Sequence, residues 1–250
     1  DPDNVEYLIA KSRVHVGLGQ EVMAIEDLFS ALDISIDKAE VLLAIADTYH
    51  DMGNFDFAVE YFTMLIDIDP QIDVLFHRRA RSYLGSNNVD AALEDFSRAS
   101  ELSPEKLLYY VEPANLCIEI GRHSDAIVYL TKAITLDAQD QQLYFLRANE
   151  YNILGYQGLA ASDYAQASRL DPRNVEIMYR RSLALLAVED FETALNVTRA
   201  GLQSFPDDAR LIVASGQANL GLGLNDAALA AYNKALLLPS LALIEVKSSV

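Results

Sequence analysis

Asp47, His50 and Asp51 stand at i, i+3 and i+4, a spacing that puts two carboxylates and an imidazole on one face of a helix. Such a set can ligate a divalent metal, and His77 could join it from a neighbouring element. The same residues also read as a solvated acidic wall with a stray histidine. With no HExxH or multi-cysteine pattern in the chain, no metal is expected. Basic chemistry is concentrated in "HRRAR", where Arg78 and Arg81 share a face and could each hold a carboxylate through paired N–H donors. Arg180, beside Tyr179, is a third candidate for that role. Cys117 is the one cysteine, so there is no disulfide framework, and a lone thiol on a helix reads as core rather than as a nucleophile. The stretches "GLG" (17–19) and "GLGLN" (221–225) follow no strand and lack the full phosphate-loop spacing, so they read as turns. No catalytic centre and no cofactor is expected.

Composition narrows the partners. The chain of 250 residues is 51% hydrophobic with seven prolines, which is the make-up of a folded protein. Its net charge of −18 disfavours nucleic acids, whose phosphates need Lys and Arg, and equally disfavours anionic membranes. A basic or mixed-charge protein partner would be steered in faster. No apolar run reaches the roughly 18 residues of a membrane span, so no direct membrane insertion is expected. The compartment is not written in the sequence; a soluble location, the cytoplasm ahead of the periplasm or the exterior, is the expectation.

The elements that position these residues recur. Shifted by 34 residues, the chain stays in phase with itself through seven units: 5–38, 39–72, 73–106, 107–140, 141–174, 175–208 and 209–242. Alanine holds the twentieth position of each, from Ala24 to Ala228, and the eighth and twenty-seventh are mostly alanine, serine or glycine. Each unit reads as two helices. The first ends near Gly19, Gly53, Gly121, Gly155 or Gly223, where glycine can take a left-handed cap. The second runs from about the eighteenth to the thirtieth position and is stopped by Pro70, Pro104, Pro172 or Pro206. The small residues fall where paired helices must approach closely.

The 34-residue length, the small residues, the aromatics Phe62, Phe96, Tyr164 and Tyr232, and the prolines resemble the tetratricopeptide repeat. The likeness covers positions 5–242, although the tryptophan usual near the repeat's start is never present; Leu8, Leu42, Phe76, Tyr110, Tyr144, Met178 and Ile212 stand there. Arg79, Arg147 and Arg181 match a variant of the repeat and are expected to be structural. The resemblance implies an all-α solenoid, a right-handed superhelix of seven helix-turn-helix repeats with first helices lining a concave groove. It also implies a noncatalytic protein-interaction scaffold that binds a peptide or a partner's helix. The family's carboxylate clamp is absent: of Val111, Asn115, Leu146, Glu176 and Arg180, only Asn115 and Arg180 comply.

On the face that would line the groove, the first two units offer Asp47, His50 and Asp51 with Glu6, Arg13 and Glu40. The third offers His77, Arg78 and Arg81; the fourth and fifth offer Glu112, Asn115, Phe145, Asn149 and Asn152; the sixth offers Tyr179 and Arg180 with Glu176. The surface thus passes from negative to positive to amide-rich and aromatic, although exposed positions are polar in any soluble solenoid. Pro113, inside a first helix, removes a backbone hydrogen bond and should kink or delay that helix. "DPDN" (1–4) matches the tail of a further repeat, so the chain reads as a piece of a longer one, and 243–250 as a partial repeat or cap. Two rival roles follow: self-assembly through the terminal repeats into a homo-oligomer, favoured by the apolar "LALIEV", and service as the targeting arm of a larger enzyme.

Overall fold

In the computed structural model residues 4–238 are described; among them are fourteen α-helices and no strand. The segments 1–3 and 239–250, including most of the expected preceding-repeat tail and the partial repeat or cap, lie outside the described residues. First helices are α1 (Val5–Gly17), α3 (Lys38–Asp51), α5 (Asp73–Gly85), α7 (Leu108–Glu119), α9 (Gln141–Ile153), α11 (Val175–Ala187) and α13 (Ala209–Gly221). They alternate with α2 (Glu21–Ile34), α4 (Phe55–Ile68), α6 (Val89–Leu102), α8 (His123–Leu136), α10 (Gln157–Leu170), α12 (Phe191–Ser204) and α14 (Asn225–Leu236). This is an all-α solenoid architecture.

Local signals account for the boundaries. Asn4, Asp140, Asn174 and Asp208 cap first helices, their side chains accepting backbone N–H groups that have no partner inside the helix. The five expected glycines all adopt positive φ, from 71° at Gly19 to 81° at Gly155. The two remaining turns do the same without glycine: Asn87 and Glu189 sit at φ 60°, a conformation that costs a side chain like glutamate's something to hold. Second helices begin one residue earlier than expected and end two residues before each of the four prolines.

The small positions are what let paired helices touch. Ala24, Ala58, Ala92, Ala126, Ala160, Ala194 and Ala228 are all buried, at 2% exposure or less. At Gly216 an added Cβ would come within 2.7 Å of the Tyr232 ring, so any side chain there would have to displace that ring.

A second regularity, 16 residues long, ties first helices to second ones. Arg79 donates from Nε and Nη2 to Asp95 at 2.7 and 2.8 Å, and Arg147 repeats the fork on Asp163 at 2.6 and 2.8 Å. Each Nη1 reaches back one unit to a threonine, Thr63 or Thr131, at 3.0 Å. Lys11 and Asp27 make the same connection at 2.5 Å. Arg181 occupies the matching place, but Val197 stands where the aspartate should be. Its Nε is buried without a hydrogen-bond partner among the described residues, and burial, then nearby Arg169, lowers its pKa. Arg181→Met is therefore expected to leave the urea midpoint unchanged or raise it, whereas Arg147→Met lowers it. Equal losses for the two would mean that Arg181 does have a partner.

The chain divides into two compact units between Pro113 and Ala114. The first has its core in α1–α6 and Tyr109, around Leu28, Ile45, Phe62 and Phe76; the second in α9–α13, around Tyr164, Ile177, Leu195 and Leu211. Pro113 lies inside α7, which starts late, at Leu108 after turns through 104–107, and has 12 residues.

Candidate partner-binding site

In the first unit, residues of α1, α3 and α5 line a concavity of about 420 Å³, with Phe62 of α4 at its floor. Arg13, Asp47, His50, Asp51, Arg78 and Arg81 bring charge or a titratable ring to it. The helical period that places Asp47, His50 and Asp51 together on α3 also places Arg78 and Arg81 together on α5.

Their bonding separates occupied from free groups. Asp47 accepts a hydrogen bond from Arg78, so the two offset each other's charge. His50 Nδ1 is hydrogen-bonded to Ser82 Oγ at 2.9 Å, and its ring meets the edge of Phe55. Burial, then the Arg81 guanidinium, lowers the His50 pKa, so the ring is neutral near pH 7. Those bonds link Asp47 to α5, and His50 to α5 and Phe55, rather than to each other, and among the described residues no three His, Cys, Asp or Glu gather as a metal set.

His77, expected on the open face, is turned inward and is 7% exposed. Its ring packs against Phe96 and Tyr109, and its Nε2–H donates to Glu112 at 2.9 Å. That bond, reinforced by the charges of His77 and Arg81, holds Glu112 below its usual pKa. The physical reason is position: His77 lies toward the seam that α5 shares with α6, where an aromatic surface waits for a flat ring. Arg81 remains exposed, and so do Arg13 and Asp51; none of the three makes an ion pair among the described residues.

The expected residues of the second unit are mostly engaged. Asn149 Oδ1 accepts the Tyr164 hydroxyl at 2.6 Å, and Phe145 packs against the same ring. Arg180 donates to Glu176 at 2.7 Å, and Arg210 reaches Glu176 from α13 at 2.6 Å. Burial alone would raise the Glu176 pKa; these two arginines outweigh it and lower it. Asn115 is exposed on α7, and Asn152 is half-buried with its backbone carbonyl accepting from Gln157. Tyr179 joins Leu183, Val213, Ala214, Arg210 and Gln217 around a smaller concavity of about 180 Å³. A search for polar residues passes over Leu183 and Val213, although they occupy the same repeat positions as His77, Arg13 and Arg81. Cys117 is fully buried, and burial pushes its thiol up to about 11, far from a reactive thiolate.

Helical hairpins stacked on small residues, with open concave faces and no strand among the described residues, define a helical-repeat scaffold. Tetratricopeptide-repeat family models match residues 39–72 in one case and 77–141 and 179–242 in another. The chain belongs to the tetratricopeptide-repeat family. Solved structures agree on the fold. YrrB, a TPR protein with an unusual peptide-binding site, is 20% identical over 76% of this chain and all of its own, with a TM-score of 0.59. The C-terminal part of a TPR repeat-containing protein from Cytophaga hutchinsonii is 16% identical over 93% of this chain and 95% of its own, with a TM-score of 0.61. A chain of the Naa15/Naa10 complex bound to HypK-THB is 17% identical over 93% of this chain and 36% of its own, with a TM-score of 0.71.

Proposed function

We propose that this chain is a noncatalytic protein-interaction scaffold that binds a peptide or a partner's helix in the concavity of α1, α3 and α5. The observation that carries the reading is the pair of exposed guanidinia, Arg13 and Arg81, lining one concavity, neither engaged in an ion pair among the described residues. In an acidic chain, arginines left unpaired beside abundant carboxylates are available to a ligand. The peptide-binding site of YrrB and the HypK-bound Naa15/Naa10 assembly support partner binding as the general role. The test is capture of a random peptide library by the wild-type chain and by Arg81→Glu. Because Arg81 is exposed and unbonded, its helical circular dichroism should not change, while capture falls at least about tenfold. Undiminished capture would move the site away from this concavity. Arg78→Glu is the wrong probe, since it would also strip Asp47 of its partner.

A further inference from the structure

We propose that this concavity reads a charge order, taking an extended peptide whose side chains run acidic, basic, acidic at about every third residue. The proposal rests on the concavity being the binding site and adds what it selects. The ninth position of three successive repeats is Arg13 on α1, Asp47 on α3 and Arg81 on α5. Asp47 is neutralised by Arg78, and the free carboxylate of α3 is Asp51, one turn further along the same face. His50, between them, adds no charge near pH 7 because burial and Arg81 lower its pKa. Across the three helices the unpaired groups are therefore positive, negative, positive, and all line one cavity.

The spacing follows from elementary dimensions. Packed helices lie about 8–10 Å apart and an extended chain advances about 3.3 Å per residue, so neighbouring helices are met by residues about three apart. A ligand of the form Glu-x-x-Lys-x-x-Glu satisfies all three groups. A wholly basic ligand sets like charges against Arg13 and Arg81, and a wholly acidic one against Asp51, each a penalty at the binding step. The selectivity of the site thus runs against the net charge of −18, which alone would favour a uniformly basic partner.

The probes are two labelled peptides, acetylated and amidated so that no terminal charge contributes: Glu-Thr-Ser-Lys-Thr-Ser-Glu and its inverse, Lys-Thr-Ser-Glu-Thr-Ser-Lys. Fluorescence anisotropy at low salt should show the full chain binding the first about tenfold more tightly than the second. The variant carrying Arg13→Glu, Asp51→Lys and Arg81→Glu should reverse that preference. Equal binding of the two peptides, or no reversal in the variant, overturns the charge order. If neither peptide binds while a random library is still captured in an Arg81-dependent way, the charge order fails and the binding site stands. If library capture is also indifferent to Arg81, both fail together.

Discussion

Replacing Arg79 with alanine is expected to cost about 3–5 kcal/mol of stability, because it strands a carboxylate inside the protein. Asp95 is 5% exposed, and both of its oxygens are held by the Arg79 fork. Those hydrogen bonds raise the Arg79 pKa, so the guanidinium is charged whenever the chain is folded. Its plane also lies against Phe76 and Tyr83, with its central carbon 5.6 and 5.7 Å from their ring centres, so truncation removes packing as well as charge. Urea unfolding followed by circular dichroism measures the loss. The double change Arg79→Met with Asp95→Leu removes both charges at once and should recover most of it, since a pair swapped for apolar groups is close to neutral. A loss below about 1 kcal/mol in the single variant would show that water reaches Asp95 freely. Arg147 and Asp163 offer an independent second trial of the same geometry.

Phe96→Ala should be nearly as damaging, at about 3–5 kcal/mol, through the cavity left by a ring with no exposed surface. Its effect reaches the proposed binding surface through a neighbour. The His77 ring rests 5.7 Å from Phe96, and it orients the imidazole that donates to Glu112. Without that backing His77 gains room to turn, and a carboxylate near Arg81 loses its anchor. Thermal melting gives the stability, and the NMR shifts of the His77 ring protons report whether the ring has been released. A normal melting temperature would mean that the surrounding side chains close over the hole, and unchanged His77 ring shifts would deny any link to the surface.

Much of the architecture was legible because it rests on residues with few conformational choices. Five glycines at fixed spacing mark five left-handed turns, four prolines mark helix ends, and alanines mark close contacts, each by a steric argument that needs no neighbours. Asn87 and Glu189 show the limit of that reasoning. They take the same turn because the flanking helices impose it, and nothing in a glutamate announces it. Site residues were harder to read for a related reason. Periodicity places Arg78, Arg81 and Arg180 on open faces and sets Glu176 one turn from Arg180 on the same helix, but it does not say that Asp47 of the preceding repeat meets Arg78. Asp47 and Glu176 engage two of the three, leaving Arg81 and bringing forward Arg13. His77 fails as a surface residue because its aromatic surroundings come from α6 and α7, at sequence separations where a helical period carries no information.

The proline in α7 has a consequence for how damage spreads. In a repeat array stability is carried locally, and regions with separate cores can open at different free energies. Pro113 cannot donate its backbone hydrogen bond, and it stands where the two compact units divide. Hydrogen exchange on the Arg79→Ala chain should accordingly show α3–α6 opening early while α9–α13 keep wild-type protection; simultaneous loss in both would contradict this. Because each unit has a core of its own, a fault in one set of helices need not condemn the other to the protease.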